Sequence, residues 1–191
     1  MENTGILIVG VGGQGTLLAS RILGQVALKS GYDVKVSEVH GMAQRGGSVV
    51  THVRFGDKVS SPLVGEGKAD YILSFEKLEA LRWIKYLKKQ GTIISNNQEI
   101  SPVTVTLGFQ KYPDNIEAKL KKSVNTFMID AKEIAQNCGN PKAVNTVLLG
   151  ALSKMLCFEK DIWVKTIKDI VPPHTVELNL KAFEEGIKAI N

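Results

Sequence analysis

The chain has 191 residues, of which 43% are hydrophobic and 23% charged, with a formal net charge of +5 and a pI near 9.1. This is enough to bury one substantial core and leaves little room for a second, so a single domain over 1–191 is expected. The positive balance permits nucleic-acid binding, but 6% aromatic residues and the absence of a helix-turn-helix pattern argue against it. Two cysteines cannot hold a four-thiolate iron–sulfur cluster, and no apolar run is long enough to span a membrane.

Ile6, Leu7, Ile8 and Val9 form a continuous apolar run, and residues 16–29 have helical spacing. Between them stand Gly10, Gly12, Gly13, Gln14 and Gly15. In a strand, glycine turn and helix, the first glycine permits a tight turn, the second lets backbone approach an anionic group, and the third lets helix pack on strand. The N–H groups at the helix start carry the positive end of the helix dipole. Glu38, closing a second strand at 33–37, stands where a ribose-binding acid would in such a unit.

Next comes a glycine-flanked loop, His40, Gly41, Met42, Ala43, Gln44, Arg45, Gly46 and Gly47, where a standard nucleotide fold would run on. Its composition reads as functional rather than core. Residues 48–55 alternate as a strand, with His52 on one face as a satisfied, partly buried residue. A third apolar run covers 69–75. The spacing of Leu78, Leu81, Ile84 and Leu87 predicts a helix over 76–89, ended by Gln90-Gly91. Residues 92–95 read as a short buried strand, 96–102 as a loop and 103–107 as a further edge strand.

A last strand is expected over 124–130, with Asp130 capping a helix at 131–137. The stretch 143–156 is apolar almost all round, and Gly150, Ala151 and Ser153 would let a neighbour, the sheet or a partner chain, approach closely. Helices at 162–170 and 176–190 complete the pattern. The expected fold is α/β, a Rossmann-like three-layer sandwich with a mainly parallel sheet and a helical C-terminal third. The lysine runs at 85–89 and 119–122 read as solvated helix faces, and Cys138 and Cys157 as small buried hydrophobes in a reducing cytosol. No metal site is expected, and with neither a signal-like nor a membrane segment the chain is placed in the cytoplasm.

Residues 10–15 and 37–48 together resemble the gamma subunits and gamma domains of the 2-oxoacid:ferredoxin oxidoreductases, with the beta subunits of indolepyruvate ferredoxin oxidoreductases the nearest likeness. The resemblance extends to 145–152 (NTVLLGAL) and 177–186 (ELNLKAFEEG), and so spans nearly the whole chain. It implies a subunit of a complex that oxidatively decarboxylates a 2-oxoacid to an acyl-CoA and delivers electrons to ferredoxin. Thiamine diphosphate, Mg and the iron–sulfur clusters would then sit on a larger partner, with coenzyme A as co-substrate. This chain would bind none of them alone and would carry no catalytic residue. The apolar helix at 143–156 and the lack of a complete catalytic set also point to a hetero-oligomer.

The resemblance makes the glycine turn and the loop 38–47 the surface facing the partner's active site. Arg45 would reach a phosphate or carboxylate through a two-pronged contact, or pair with Glu38. Glu38 would hold a ribose or the inserted loop. His40 would fix the loop by hydrogen bonds or donate a proton, Gln44 would bond within the loop or interface, and Met42, Gly46 and Gly47 would complete that face. Asn145 reads as a cap-like or buried hydrogen-bonder. Two other readings stay open: a free-standing NAD(P)- or flavin-dependent oxidoreductase, and a small protein sensing coenzyme A or an adenine nucleotide.

Overall fold

The computed structural model describes residues 3–40 and 47–190, with only the backbone of His40. The chain opens with β1 (Thr4–Val11), α1 (Thr16–Lys29), β2 (Asp33–His40), β3 (Ser48–Gly56) and β4 (Ala69–Ser74). There follow α2 (Lys77–Trp83), a 3-10 turn at Ile84–Tyr86, β5 (Leu87–Asn96), α3 (Val103–Thr106), α4 (Ile116–Ser123) and β6 (Asn125–Ile129). The last part is helical: α5 (Ala131–Asn137), α6 (Val144–Ser153), α7 (Lys160–Ile170) and α8 (Val176–Lys188).

The strands form one sheet in the order β2-β3-β1-β4-β5-β6. β1, β4, β5 and β6 are parallel neighbours, and β3 runs antiparallel to both β1 and β2. The first apolar run is buried on both faces because both are covered. Ile6 and Ile8 enter one core with α1, α5, α6, α7 and α8, while Leu7 and Val9 enter the other with α2 and α4. That alternation is the period of a strand in the middle layer of three. The α/β sandwich, the mainly parallel sheet and the helical C-terminal third are thus as the sequence implied.

Four local expectations are corrected. Helix α2 stops at Trp83, and Leu87, Lys88 and Lys89 lie in β5. Leu87 pairs with Ala69 of β4 and is buried, so sheet pairing overrides a helical spacing that ran on by one more turn. Residues 103–106 form one helical turn after Pro102 instead of an edge strand, since β6 occupies the outer side of β5. Asp130 sits at the cap position of α5 but makes no capping bond; its carboxylate accepts from Asn97 Nδ2 at 2.8 Å. Cys157 is exposed, and Cys138 is half-buried, packed against the core rather than inside it.

The apolar helix α6 finds its close neighbour within the chain. A Cβ on Gly150 would stand 2.1 Å from the carbonyl oxygen of Phe183, and one on Gly186 would stand 2.0 Å from that of Val147. Helices α6 and α8 therefore cross backbone to backbone, and α6 leaves no exposed apolar face to argue for a partner. The lysine runs are solvated: Lys85 pairs with Glu66 at 2.6 Å and Lys121 with Glu117 at 2.6 Å, exposed pairs that contribute little. Among the described residues no helix is long and apolar enough to cross a membrane.

Candidate functional site

The parallel strands β1, β4, β5 and β6 all end at one edge of the sheet, where the helices that follow β1 and β4 depart to opposite faces. Crevices open at such points because the connections diverge. Here the divergence leaves a cleft of about 400 Å³ between the glycine turn, Gln98, Lys132 and Lys142. On the other side of the same turn is a recess of about 450 Å³ lined by Gly12, Thr16, Leu17, Glu38 and Val49.

The turn is made by Gly13 and Gly15, at φ 99° and 87°. Only glycine takes such values without strain. Gly10, expected to make the tight turn, lies in β1, and a Cβ there would stand 3.0 Å from Cβ of Phe75 and 2.9 Å from Oε1 of Gln14. Its absent side chain serves packing. Gly15 caps α1 with no side-chain bond, and a Cβ on Gly13 would meet nothing within 4 Å. Gly13 is therefore the point of open approach.

Gln14 holds this shape. Its Oε1 accepts from the Val11 N–H at 2.7 Å and its Nε2 donates to the Phe75 carbonyl at 3.1 Å. Buried Asn96 donates to the same carbonyl at 3.2 Å and accepts from the Ala131 N–H at 3.1 Å, so β1, β4, β5 and α5 are locked together at the cleft floor. The Gly12 N–H donates to the Gly47 carbonyl at 2.9 Å, which pins the end of the inserted loop to the glycine turn. Of the predicted loop residues, Met42, Gln44, Arg45 and Gly46 lie outside the described residues, as does the side chain of His40.

Glu38 does meet the glycine turn, but not in the standard way. Strand β3 lies between β1 and β2, so the acid is one strand further from the turn than in a dinucleotide-binding unit. His52 is buried, as read from the sequence; its Nδ1 accepts from the Val64 N–H at 3.1 Å, and burial lowers its pKa.

Two buried carboxylates next to this edge escaped the sequence reading. Glu76 is 1% exposed and Glu79 3% exposed. Glu76 caps α2 by accepting from the Glu79 N–H, and its other oxygen accepts from the Tyr112 hydroxyl at 3.2 Å. Burial raises the pKa of both Glu76 and Tyr112. Glu79 accepts from Ser48 Oγ and from Trp83 Nε1 at 3.2 Å, and pairs with Arg82 Nε at 3.2 Å. An acid followed three residues later by Glu, ahead of an apolar stripe, was the available signal.

Residues 5–189 match the family model described as pyruvate ferredoxin/flavodoxin oxidoreductase. The chain belongs to that family. It is 48% identical over 198 residues to the indolepyruvate oxidoreductase subunit IorB of Thermococcus kodakarensis, covering 99% of this chain and 96% of that one. It is 29% identical over 194 residues to the 2-oxoglutarate synthase subunit KorC of Methanothermobacter thermautotrophicus, covering 97% and 94%. Among solved structures, the gamma subunit of a keto/oxoacid ferredoxin oxidoreductase from Geobacter sulfurreducens matches with a TM-score of 0.73 and 25% identity over 97% of both chains. A 2-oxoglutarate:ferredoxin oxidoreductase from Magnetococcus marinus shares the fold with a TM-score of 0.75 and 16% identity, over 99% of this chain but 31% of that one. In that protein the same fold makes up about a third of a longer polypeptide.

Proposed function

We propose that this chain is one subunit of a 2-oxoacid ferredoxin oxidoreductase complex acting on an aryl 2-oxoacid such as indolepyruvate, and that it is a single domain with no activity alone. The observation that carries the reading is 48% identity, over 99% of this chain, to an indolepyruvate oxidoreductase subunit. Among the described residues no cluster of three or more His, Cys, Asp or Glu is placed to hold a metal ion. On this reading thiamine diphosphate, Mg and the iron–sulfur clusters sit on a larger partner, which passes electrons to ferredoxin, with coenzyme A as co-substrate.

The edge carrying the glycine turn, Glu38 and Gly47 is the face assigned to the shared active site. Its work is to hold and orient. Gln14 and Asn96 keep the turn rigid, the Gly12–Gly47 bond and Ser48–Glu79 contact set where the inserted loop rejoins the sheet, and Arg45 in that loop anchors an anionic group of a substrate. Copurification of the tagged chain from its native source with a larger iron–sulfur protein, and indolepyruvate oxidation by the pair but not by either alone, is the expected result. Oxidation by the lone chain, or no partner recovered under reducing, anaerobic conditions, overturns it. In the assembled complex, Arg45→Ala should slow turnover; unchanged kinetics for both the oxoacid and coenzyme A would remove the anchoring role.

A further inference from the structure

The sheet has an open edge. β2 is its outermost strand, paired on one side with β3, and among the described residues no strand lies on its other side, so the outward N–H and C=O groups along Asp33–His40 lack a ladder partner. Such edges are normally blunted by charge, proline or a bulge. β2 has no proline, its pairing with β3 runs without a register shift, and its lysine, Lys35, is drawn back to Asp33 at 2.8 Å.

Both faces beside this edge are apolar and open. Val36 and Val39 are each close to half exposed, and three positions apart on a strand they point to opposite sides of the sheet. On the side of Val36 lies a groove of about 470 Å³ between the strand and α1. Leu17 and Leu28, both more than half exposed, stand at its two ends along α1, and Gly24 between them lies over Val34 and Val36. Arg21, exposed on the same stripe, has no ion-pair partner among the described residues, and no carboxylate lines the groove.

These features select the occupant. A helix laid in the groove would cover Val36 and leave Val39 and the backbone of the strand bare. An extended segment covers all three, because its side chains alternate to both faces while its backbone completes the ladder. A second copy of this chain would meet the edge with the same arginine and the same acid-free groove, bringing like charges together. Leu17 also lines the recess beside the glycine turn, so a larger subunit seated on that turn continues into the groove.

We propose that the outer edge of β2 receives an extended segment of the larger partner subunit, which adds to the six-stranded sheet as a further strand, fills the groove beside α1 with apolar side chains and presents a carboxylate to Arg21. The inference rests on the subunit reading and adds to it where, and in what form, the partner docks.

The test is hydrogen–deuterium exchange of the full chain, free and in the complex co-expressed with the larger subunit, together with the affinity of the two purified subunits. Alternate amides of β2 should exchange fast in the free chain and slow by about tenfold or more in the complex. Arg21→Glu and Leu28→Glu, both at exposed positions, should leave the melting temperature of the free chain unchanged and each weaken assembly about tenfold or more. Lys122→Glu on α4, an exposed change of equal charge, should leave assembly as it is; weakening equal to that of Arg21→Glu would reduce the effect to net charge and overturn the proposal. A complex that forms while β2 exchanges as in the free chain, or in which both groove variants assemble like the native chain, overturns this docking and leaves the subunit reading intact. Failure of the native chain to form any complex removes both. A dimer of the free chain that Arg21→Glu abolishes would give the edge to a second copy and overturn the proposal as well.

Discussion

Ser48 donates its hydroxyl to the buried carboxylate of Glu79, so the first residue of β3 is tied to the first turn of α2 across the edge that carries the candidate site. Ser48 follows the inserted loop directly, and Gly47 before it is held by Gly12. The return of that loop into the sheet is therefore fixed from two sides. Glu79→Ala removes the acceptor for Ser48 and Trp83 and the partner of Arg82, leaving two half-buried donors unfilled. A loss of about 2–4 kcal/mol in urea unfolding is expected. Glu79→Gln keeps one acceptor oxygen and should cost about half as much; equal losses for the two would show that acceptor geometry is not what Glu79 supplies.

Glu76 gives stability a definite pH dependence. Burial raises its pKa above the ordinary 4.5, with the neighbouring Glu79 a lesser contribution in the same direction. The folded state then binds this proton more tightly than the unfolded chain does, so its contribution favours folding at low pH. That contribution is lost as pH rises from about 4.5 through the raised folded value. His52 acts oppositely: its lowered pKa favours the folded state above about 6.5, and the benefit falls away as pH drops through the folded value. Melting temperatures from pH 4 to 8 for the native chain and Glu76→Gln should differ by a slope of that sign. Parallel curves would remove Glu76 as its source.

The crossing of α6 and α8 should be far less tolerant than the glycine turn. Gly150→Ala or Gly186→Ala forces a methyl group onto a carbonyl oxygen of the facing helix. A loss of roughly 3 kcal/mol or more is expected for either. Gly13→Ala meets open space and costs only the strain of a positive φ, about 1–2 kcal/mol. Denaturant midpoints ranking Gly13→Ala as the worst of the three would contradict this packing.

Thr166 has a buried hydroxyl with no hydrogen-bond partner in the structure. Replacing it with isosteric valine removes an unpaired polar atom without opening a cavity, and should stabilise the chain by up to about 1 kcal/mol. A clear drop in melting temperature would mean that the hydroxyl has a partner.

The separation of Glu38 from β1 by β3 bears on the dinucleotide reading. With the acid displaced by one strand, the isolated chain should bind NAD weakly or not at all. A micromolar or tighter dissociation constant by calorimetry would overturn this.

Much of the fold was legible because its signals are local. Ile6 to Val9 had to be buried on both faces, the glycines had to make a turn before a helix, and His52 had to sit inward on an alternating strand. The resemblance carried by residues 10–15, 37–48, 145–152 and 177–186 pointed to the family for the same reason. The errors fall where distant partners decide. Leu87 looks helical by spacing until Ala69 of β4 pairs with it, and residues 103–107 look like a strand until β6 takes the free side of β5.

The candidate site divides in the same way. Sequence alone determined the glycine turn, because backbone freedom at Gly13 and Gly15 is a property of neighbouring residues. Only the tertiary structure could place β3 between β1 and β2, turn the amide of Asn145 toward Gly15, and bring Lys132 and Lys142 to one cleft. Those residues lie more than a hundred positions beyond the turn, and no local period encodes a contact set by how sheet and helices pack.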